Sequence, residues 1–247
     1  MSTLRRLGWG AFAVAMLLSG CGLSSTNVLF SQATQSRQVD PTGLTAVKAA
    51  LASMSSIETY QMKGQIQVAT GRFVRTTDFY GTVQLPDVIN MDETIGGTDY
   101  VLYQNGSFSY YRDGNRWVPS PPIANLKPWD SLTRLVQEDP PKVVYSLPEQ
   151  TVTSWLCRVY QFKSEAKGAD FTAIGNKAGL HTIAHSALYT VWIDANDGQL
   201  RQVEVQSTVG IPDLGTASID ATQLYFGYNQ KMNLTVPSDL LAQVERP

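Results

Sequence analysis

Histidines are the residues most suited to metal chemistry in this chain, but their context does not favour a site. The chain has two, His181 and His185, and their spacing would place them on one face of a helix, where they could share a metal ion. Thr182 occupies the position of the glutamate in a zinc protease motif, and Gly179 disfavours a helix. We interpret both histidines as exposed loop residues and predict no metal site and no cofactor.

Acidic residues also cluster without forming a recognisable catalytic arrangement. Asp194–Gly198 is similar to the start of a calcium loop, but Val205 stands where the loop would end in glutamate, so a hairpin turn is predicted. Two carboxylate pairs lie beside turn or helix-end signals and are expected to be solvated, namely Asp92-Glu93 and Glu138-Asp139. The sequence also lacks Gly-x-Ser-x-Gly and phosphate-loop motifs, so no catalytic residue is assigned. An enzyme, such as an envelope hydrolase, is therefore the least favoured functional class.

Cys21 lies in a context that predicts a defined modification. Arg5 and Arg6 precede an apolar stretch from Leu7 to Leu18 of about a dozen residues, which is typical of an export signal. The stretch is shorter than the roughly 20 residues that span a membrane. Leu18-Ser19-Gly20-Cys21 resembles the bacterial lipobox, which implies diacylglyceryl transfer to the Cys21 thiol and cleavage before it. Several acyl chains make a stable tether; an ordinary secretory signal followed by a chance cysteine is the alternative.

Composition limits the remaining classes. Removal of residues 1–20 takes away two of the 19 basic residues and none of the 21 acidic ones, which leaves a formal charge of −4. A mildly acidic chain with no basic cluster is not suited to bind nucleic acid. If Cys21 is lipidated, Cys157 has no partner for a disulfide within the monomer. Its apolar surroundings favour a buried small hydrophobe over a reactive thiol.

The mature chain is predicted to begin with a flexible tether and to continue as one domain. Residues 21–40 are mostly polar and lack periodicity, which is typical of a spacer, and residues 41–247 form the domain. Asp40-Pro41-Thr42 predicts a helix start. Four apolar residues then follow at helical spacing, namely Leu44, Val47, Leu51 and Met54. The clearest strand begins at Tyr60, where apolar and polar residues alternate.

Most of the remaining chain is predicted to be extended and to fold as an antiparallel meander. Turn signals such as Asn105-Gly106 and Asp113-Gly114 favour tight hairpins. A second helix is predicted from about Pro128 to Val136, a long surface loop from Lys167 to His185, and a short helix near the C-terminus. The predicted strands are Phe73 to Leu85, Val88 to Ile95, Tyr100 to Gln104, Phe108 to Arg112, Val143 to Leu147, Thr151 to Phe162, Ala187 to Asp194, Gln199 to Val209, Thr216 to Tyr228 and Met232 to Val236.

Ordered pattern matches across the mature chain resemble the superfamily that includes the periplasmic lipoprotein carrier LolA, the outer-membrane receptor LolB and the lipoproteins LppX and LprG. They are Tyr60-x-Met62-x-Gly64, the hairpin from Tyr100 to Gly106 followed by Tyr110-Tyr111 and Trp117, the pair around Val191-Trp192-Ile193-Asp194 with Gly198-Gln199, and Tyr228-Asn229 before Val236-Pro237. The resemblance implies an α+β fold in which a strongly curved antiparallel sheet, an open half-barrel, carries covering helices. It also implies a cavity that holds lipids or acylated molecules.

The leading functional hypothesis is a lipid-anchored extracytoplasmic protein that binds a hydrophobic or acylated ligand between sheet and helices. Its location would be the cell membrane, or the outer membrane in a host that has two. The expected cavity walls are Leu44, Val47, Leu51, Tyr60, Met62, Ile66 and Val68. The alternative is an envelope interaction or sensing module with a filled core, which recruits an envelope protein and binds no small molecule.

Overall fold

The computed structural model describes residues 37–164, 183–211 and 215–244. The predicted export signal, Cys21, most of the predicted tether, and residues 167–182 of the predicted loop, with His181, lie outside the described residues. The helices are α1 (Gly43–Ser53), α2 (Asp130–Glu138) and α3 (Ser238–Val244), with a 3₁₀ turn at Met54–Ser56. The strands are β1 (Gln38–Val39), β2 (Thr59–Thr70), β3 (Phe73–Gln84), β4 (Val88–Ile95), β5 (Thr98–Asn105), β6 (Phe108–Asp113), β7 (Arg116–Pro119), β8 (Val144–Val152), β9 (Trp155–Ser164), β10 (Ile183–Asp194), β11 (Leu200–Ile211) and β12 (Gly215–Phe226).

The strands form one twelve-stranded antiparallel sheet in the order β1-β8-β9-β10-β11-β12-β2-β3-β4-β5-β6-β7. Strands β1 and β7 are its two edges, so the sheet stays open. The predicted α+β class, with an open antiparallel sheet and covering helices, is confirmed. None of the helices in this part of the chain is long and apolar enough to cross a membrane.

Alternation along β2 defines two faces of the sheet. Tyr60 pairs with Val83, and Val83 pairs with Ile89, so these three side chains point to the same side. We call this side, which α1 and α2 cover, the inner face. The predicted strand from Tyr60 is therefore confirmed, with its apolar residues directed toward the helices.

The core lies between the inner face and the two long helices. On α1, Val47 and Leu51 are 0% and 3% exposed, and Leu132 and Val136 of α2 are also buried. Each buried side chain of this size stabilises the fold by about 1.5–3 kcal/mol. The start of α1 is held by Asp40, whose carboxylate accepts hydrogen bonds from the Thr42 hydroxyl and backbone N–H at 2.7 and 2.8 Å. These hydrogen bonds lower the pKa of Asp40.

Helix α3 covers the opposite, outer face of β5, β6 and β7. Leu240 is fully buried against Tyr103 and Trp117. The Trp117 backbone exchanges two hydrogen bonds with the Gln243 amide at 2.6 and 2.8 Å, and its indole N–H donates to Asp239 at 3.0 Å. The C-terminal end is thereby fixed to the sheet by specific polar contacts.

A buried ion pair closes the β10–β11 hairpin. Arg201 donates to Asp194 at 2.8 Å and also contacts Asp197, and its guanidinium lies 4.6 Å from the ring centroid of Trp155. Burial raises the pKa of Asp194, but hydrogen bonds from the Asn196 backbone and Arg201 outweigh this effect and lower it. The segment 194–198 is thus the turn that the sequence predicted, held by a cation from its own hairpin.

Several predicted boundaries were wrong. The strand predicted from Thr151 to Phe162 is interrupted, because Thr153 adopts φ 58° and reverses the chain between β8 and β9. That conformation is uncommon for a residue other than glycine, so the sequence carries no usual turn signal there. The loop predicted to reach His185 ends earlier, since β10 already starts at Ile183.

Three further segments near strand ends or edges also differ from the prediction. The segment Met232 to Val236 is not a strand, and Val236 instead packs on the outer-face cluster around Trp117. Strand β7 was not predicted. Gln38–Val39, at the end of the predicted tether, pair with β8.

Candidate functional site

The residues predicted to line a cavity do not share one environment. Val47, Leu51 and Tyr60 are at most 3% exposed and lie inside the packed core. Leu44 and Ile66 pack at the edge of that core and are partly exposed. Met62 is 9% exposed, and Val68 belongs to a separate small cluster with Val209 and Ala217. Val47, Leu51 and Tyr60 are thus covered by protein. Along β2, exposure increases from Met62 to Ile66 and Val68.

Residues 120–129 cross the inner face between β7 and α2, and aromatic packing holds their end against the sheet. The Trp129 ring lies 5.0 Å from the ring of Tyr60 and 5.9 Å from that of Tyr225, both in edge contacts. The Tyr60 hydroxyl donates to the Leu126 carbonyl. This cluster positions the crossing segment over β2 and β12.

A glutamine side chain fixes the start of the crossing segment. Gln104 is 1% exposed, and its amide donates to the Ile123 carbonyl at 3.1 Å while accepting from the Ile123 N–H at 2.7 Å. The paired hydrogen bonds satisfy the backbone of a segment that has no strand partner. They also fix the distance between the Ile123 backbone and strand β5.

A shallow open cleft of about 30 Å³, about the space of one water molecule, remains between the crossing segment and the sheet. Two methionines form part of its floor, and these flexible side chains adapt to ligands of different shape. The lining residues are Tyr60, Met62, Ile89, Met91, Ile123, Asn125, Leu126, Pro128 and Gln223. Most of this lining is apolar, which suits a hydrocarbon chain.

Gly64 lets an aromatic ring close the floor beside the cleft. A Cβ at Gly64 would lie 2.2 Å from the Thr222 carbonyl oxygen and 2.6 Å from Cζ of Phe79. Only glycine therefore allows Phe79 to lie across β2. The Phe79 ring, which is 5% exposed, therefore covers the inner face at Gly64.

Beyond Phe79 the inner face is only partly covered. Six inner-face side chains on β2, β3, β4 and β12 are partly exposed, and most of them are apolar. We call this surface the distal inner face; its members are Ile66, Val68, Thr77, Ile95, Ile219 and Ala221. It continues from the cleft toward the β2–β3 turn and offers a longer apolar path than the cleft alone.

The carboxyl group of Glu93 borders the distal inner face. Glu93 follows Met91 on the same face of β4, and burial raises the pKa of its carboxyl to about 7. The prediction that the Asp92-Glu93 pair is solvated was therefore wrong for Glu93, whereas Asp92 is exposed on the other face. The alternation Ile89, Met91, Glu93 already indicated the inner face. The neighbouring turn signals had pointed to solvent instead.

Solved structures provide the comparison for this geometry. The sequence matches no protein-family model and no curated protein sequence. The crystal structure of LprF from Mycobacterium bovis superposes with a TM-score of 0.50 at 9% sequence identity, covering 81% of this chain and 98% of that one. The chain has a LolA/LppX-like fold.

Two other solved structures match with lower scores. A putative outer membrane lipoprotein-sorting protein domain from Vibrio parahaemolyticus gives a TM-score of 0.28 at 9% identity, covering 82% of this chain and 97% of that one. A DUF1329 family protein from Desulfovibrio piger gives 0.27 at 11% identity, covering 77% and 93%. These two scores add nothing to the LolA/LppX-like fold assignment.

Reactive groups do not assemble into a second type of site in the described ranges. Within them, no three His, Cys, Asp or Glu residues come together as metal ligands would. Cys157 is fully buried, as predicted, and burial raises the pKa of its thiol to about 11. A thiol of this kind is a poor nucleophile at neutral pH. The partly exposed apolar surface of the inner face is therefore the candidate site in the described ranges.

Proposed function

We propose that the protein is a lipid-anchored extracytoplasmic lipoprotein that binds a hydrophobic or acylated ligand along its inner face. The supporting observation is that apolar side chains continue past the helices and remain partly exposed. Met62, Ile66 and Val68 share one face of β2, and the Phe79 ring covers Gly64 between the first two, so the apolar surface continues past the cleft. The distal inner face and the cleft together form the proposed site.

The expected affinity follows from the number of methylenes removed from water. Each buried methylene contributes about 0.8 kcal/mol. A ligand that buries about ten of them gains roughly 8 kcal/mol before the cost of association is subtracted. An acyl chain is therefore long enough to bind usefully, whereas a small apolar molecule is not.

A second candidate, an interaction module without a small-molecule ligand, is favoured by the dense packing under α1. Val47 and Leu51 are too deeply buried to contact a guest without movement of the helix. In this alternative, the envelope partner would be a protein. The two functions differ in whether the purified protein binds a single apolar chain.

Filling the proposed site tests the first function directly. Ala221 lies on the distal inner face between Ile66 and Val205, so Ala221→Trp places a large ring in the path. Thr222→Trp puts the same ring on the outer face of the same strand and is the matched control. Native mass spectrometry of the full chain with 1-hexadecanol measures binding.

We expect the wild-type protein and Thr222→Trp to bind hexadecanol and Ala221→Trp to bind at least about tenfold more weakly. Equal binding by the two variants would place the ligand elsewhere. A wild-type protein that binds no hexadecanol would favour the interaction module. Circular dichroism of both variants verifies that the sheet is intact.

The membrane anchor is tested at Cys21. Cys21→Ala removes the thiol that would receive the diacylglyceryl group, so the protein is expected to leave the membrane fraction of its host. Unchanged fractionation would reject the lipid tether. Because Cys21→Ala leaves the distal inner face unaltered, the variant should still bind hexadecanol. Ligand binding and membrane anchoring are thereby tested separately.

A further inference from the structure

Arg75 places a cation on the inner face at the end of the apolar path. It pairs across the sheet with Val68, which in turn pairs with Ile219, so all three side chains point to the inner side. The side chain is partly buried. The basic group therefore borders the distal inner face directly.

The hydrogen bonding of Arg75 is incomplete within the described ranges. Its Nε is buried and has no hydrogen-bond partner there, and no described carboxylate lies within ion-pair distance of its guanidinium. Glu93, on the adjacent strand and the same face, does not pair with it. By contrast, the guanidinium of Arg201 is paired with two carboxylates.

The buried Nε–H of Arg75 carries a cost, because a polar group that leaves water without gaining an acceptor loses its hydrogen bond to solvent. Native proteins satisfy nearly all buried polar groups with protein, water or ligand partners. An anionic ligand group would provide the missing acceptor. The planar guanidinium binds carboxylate and phosphate oxygens with paired hydrogen bonds.

The guanidinium of Arg75 lies between the β4–β5 turn and the side chain of Tyr111 on β6. A Cβ at Gly96, in the β4–β5 turn, would lie 3.9 Å from both Nε and one terminal nitrogen, so the guanidinium lies over this turn. Tyr111 is within electrostatic reach. Burial raises the pKa of its hydroxyl most, Glu93 raises it further, and Arg75 opposes the shift. The tyrosine hydroxyl is thus a neutral donor near the cation.

We propose that Arg75 binds the anionic headgroup of an amphiphile whose hydrocarbon chain lies on the distal inner face. The inference rests on the proposed function and specifies its ligand class. The headgroup chemistry is a phosphate or a carboxylate, since both present oxygens that fit the guanidinium. The chain extends from Arg75 past Val68 and Ile66 toward the cleft.

Ligands of equal chain length and different headgroup test this assignment. The full chain, purified from its host and freed of lipid, is titrated with hexadecyl phosphate, palmitate or 1-hexadecanol, and the bound fraction is measured by native mass spectrometry. Arg75→Gln removes the cation, and Arg75→Lys keeps the charge without the planar fork. Arg72→Gln is the matched control, because Arg72 lies exposed in the adjacent turn.

The wild-type protein and Arg72→Gln are expected to bind at least one anionic ligand about tenfold or more tightly than hexadecanol, as a charge-assisted hydrogen bond allows. Arg75→Gln should abolish this preference and leave hexadecanol affinity within about twofold. Arg75→Lys should retain part of it. Preference for hexadecyl phosphate over palmitate would identify a phosphate headgroup, the reverse a carboxylate, and equal affinity a site that accepts both.

Two results would overturn the headgroup assignment. One is equal affinity of the wild-type protein for the alcohol and the anions, and the other is an anion preference that survives in Arg75→Gln. If hexadecanol binds in either case, the proposed function remains and only the headgroup assignment fails. If none of the three ligands binds, both fail. Thermal melting of Arg75→Gln and Arg75→Lys verifies that each variant is folded.

Discussion

Glu93 makes the stability of the protein depend on pH in a direction opposite to that of a typical carboxylate. Burial raises the pKa of its carboxyl from 4.5 to about 7 in the folded state. The folded protein therefore holds this proton more tightly than the unfolded chain. The associated stability is fully present below about pH 4.5 and is lost as the pH rises through about 7.

The size of the effect follows from the shift. A pKa difference of about 2.5, at about 1.4 kcal/mol for each pKa unit, corresponds to roughly 3–4 kcal/mol. Because the Glu93 side chain is partly exposed, water screening reduces this value, and we expect about 1–3 kcal/mol. Glu93→Gln keeps the shape but cannot ionise. It should therefore be more stable than the wild-type protein by this amount at pH 8 and of similar stability at pH 4.5.

Urea unfolding followed by tryptophan fluorescence at pH 4.5, 6 and 8 measures the difference. Comparing the variant with the wild-type protein at each pH cancels groups that titrate in both. Asp92→Asn changes the neighbouring exposed carboxylate on the opposite face and is the control. A Glu93→Gln difference that is the same at all three pH values would refute the raised pKa of a partly buried carboxyl.

Three further substitutions test the core, the β10–β11 hairpin and helix α3. Leu51→Ala should lower the free energy of unfolding by about 2–5 kcal/mol in urea titrations, since Leu51 is 3% exposed, and a loss below 1 kcal/mol would contradict close packing of α1. Arg201→Met leaves Asp194 buried without its cation and should cost about 3–5 kcal/mol, whereas adding Asp194→Asn should restore part of the loss. Gln243→Ala removes two hydrogen bonds to the Trp117 backbone, so amide exchange in α3 should accelerate by about tenfold or more while the central strands are unchanged.

The open sheet was predictable because its local signals agree with one another. The alternation from Tyr60 gave both the strand and its buried face, and Asn105-Gly106 lies in a turn where Gly106 has φ 60°. The turn between β8 and β9 was not predictable in this way. Thr153 adopts a positive φ without glycine or asparagine, so only the pairing of the two strands determines it.

The proposed binding surface was predictable as one face of the sheet, but the residues that stay exposed on it were not. Alternation assigned Tyr60, Met62, Ile66 and Val68 to the inner side correctly. Which of them stays accessible depends on the course of residues 120–129, which Gln104 fixes through long-range hydrogen bonds. Spacing along β2 carries no information about that course.

Glu93 and Arg75 were missed for a related reason. Their charges suggest solvent, but their register places both on the inner face, opposite Phe79 and Val68 respectively. Register outweighs residue type here because a strand cannot turn one side chain outward without slipping the entire pairing. A charged residue at an apolar position of an alternating strand thus indicates a charge on the inner face.

The most direct test is the mass of what the protein carries from its own host. The full chain is purified without lipid exchange, and its mass is compared by native mass spectrometry before and after organic extraction. We expect a non-covalent amphiphile that extraction removes and that is depleted in Ala221→Trp but retained in Thr222→Trp. Repeated purification of wild-type protein with no bound lipid would contradict a ligand-binding inner face.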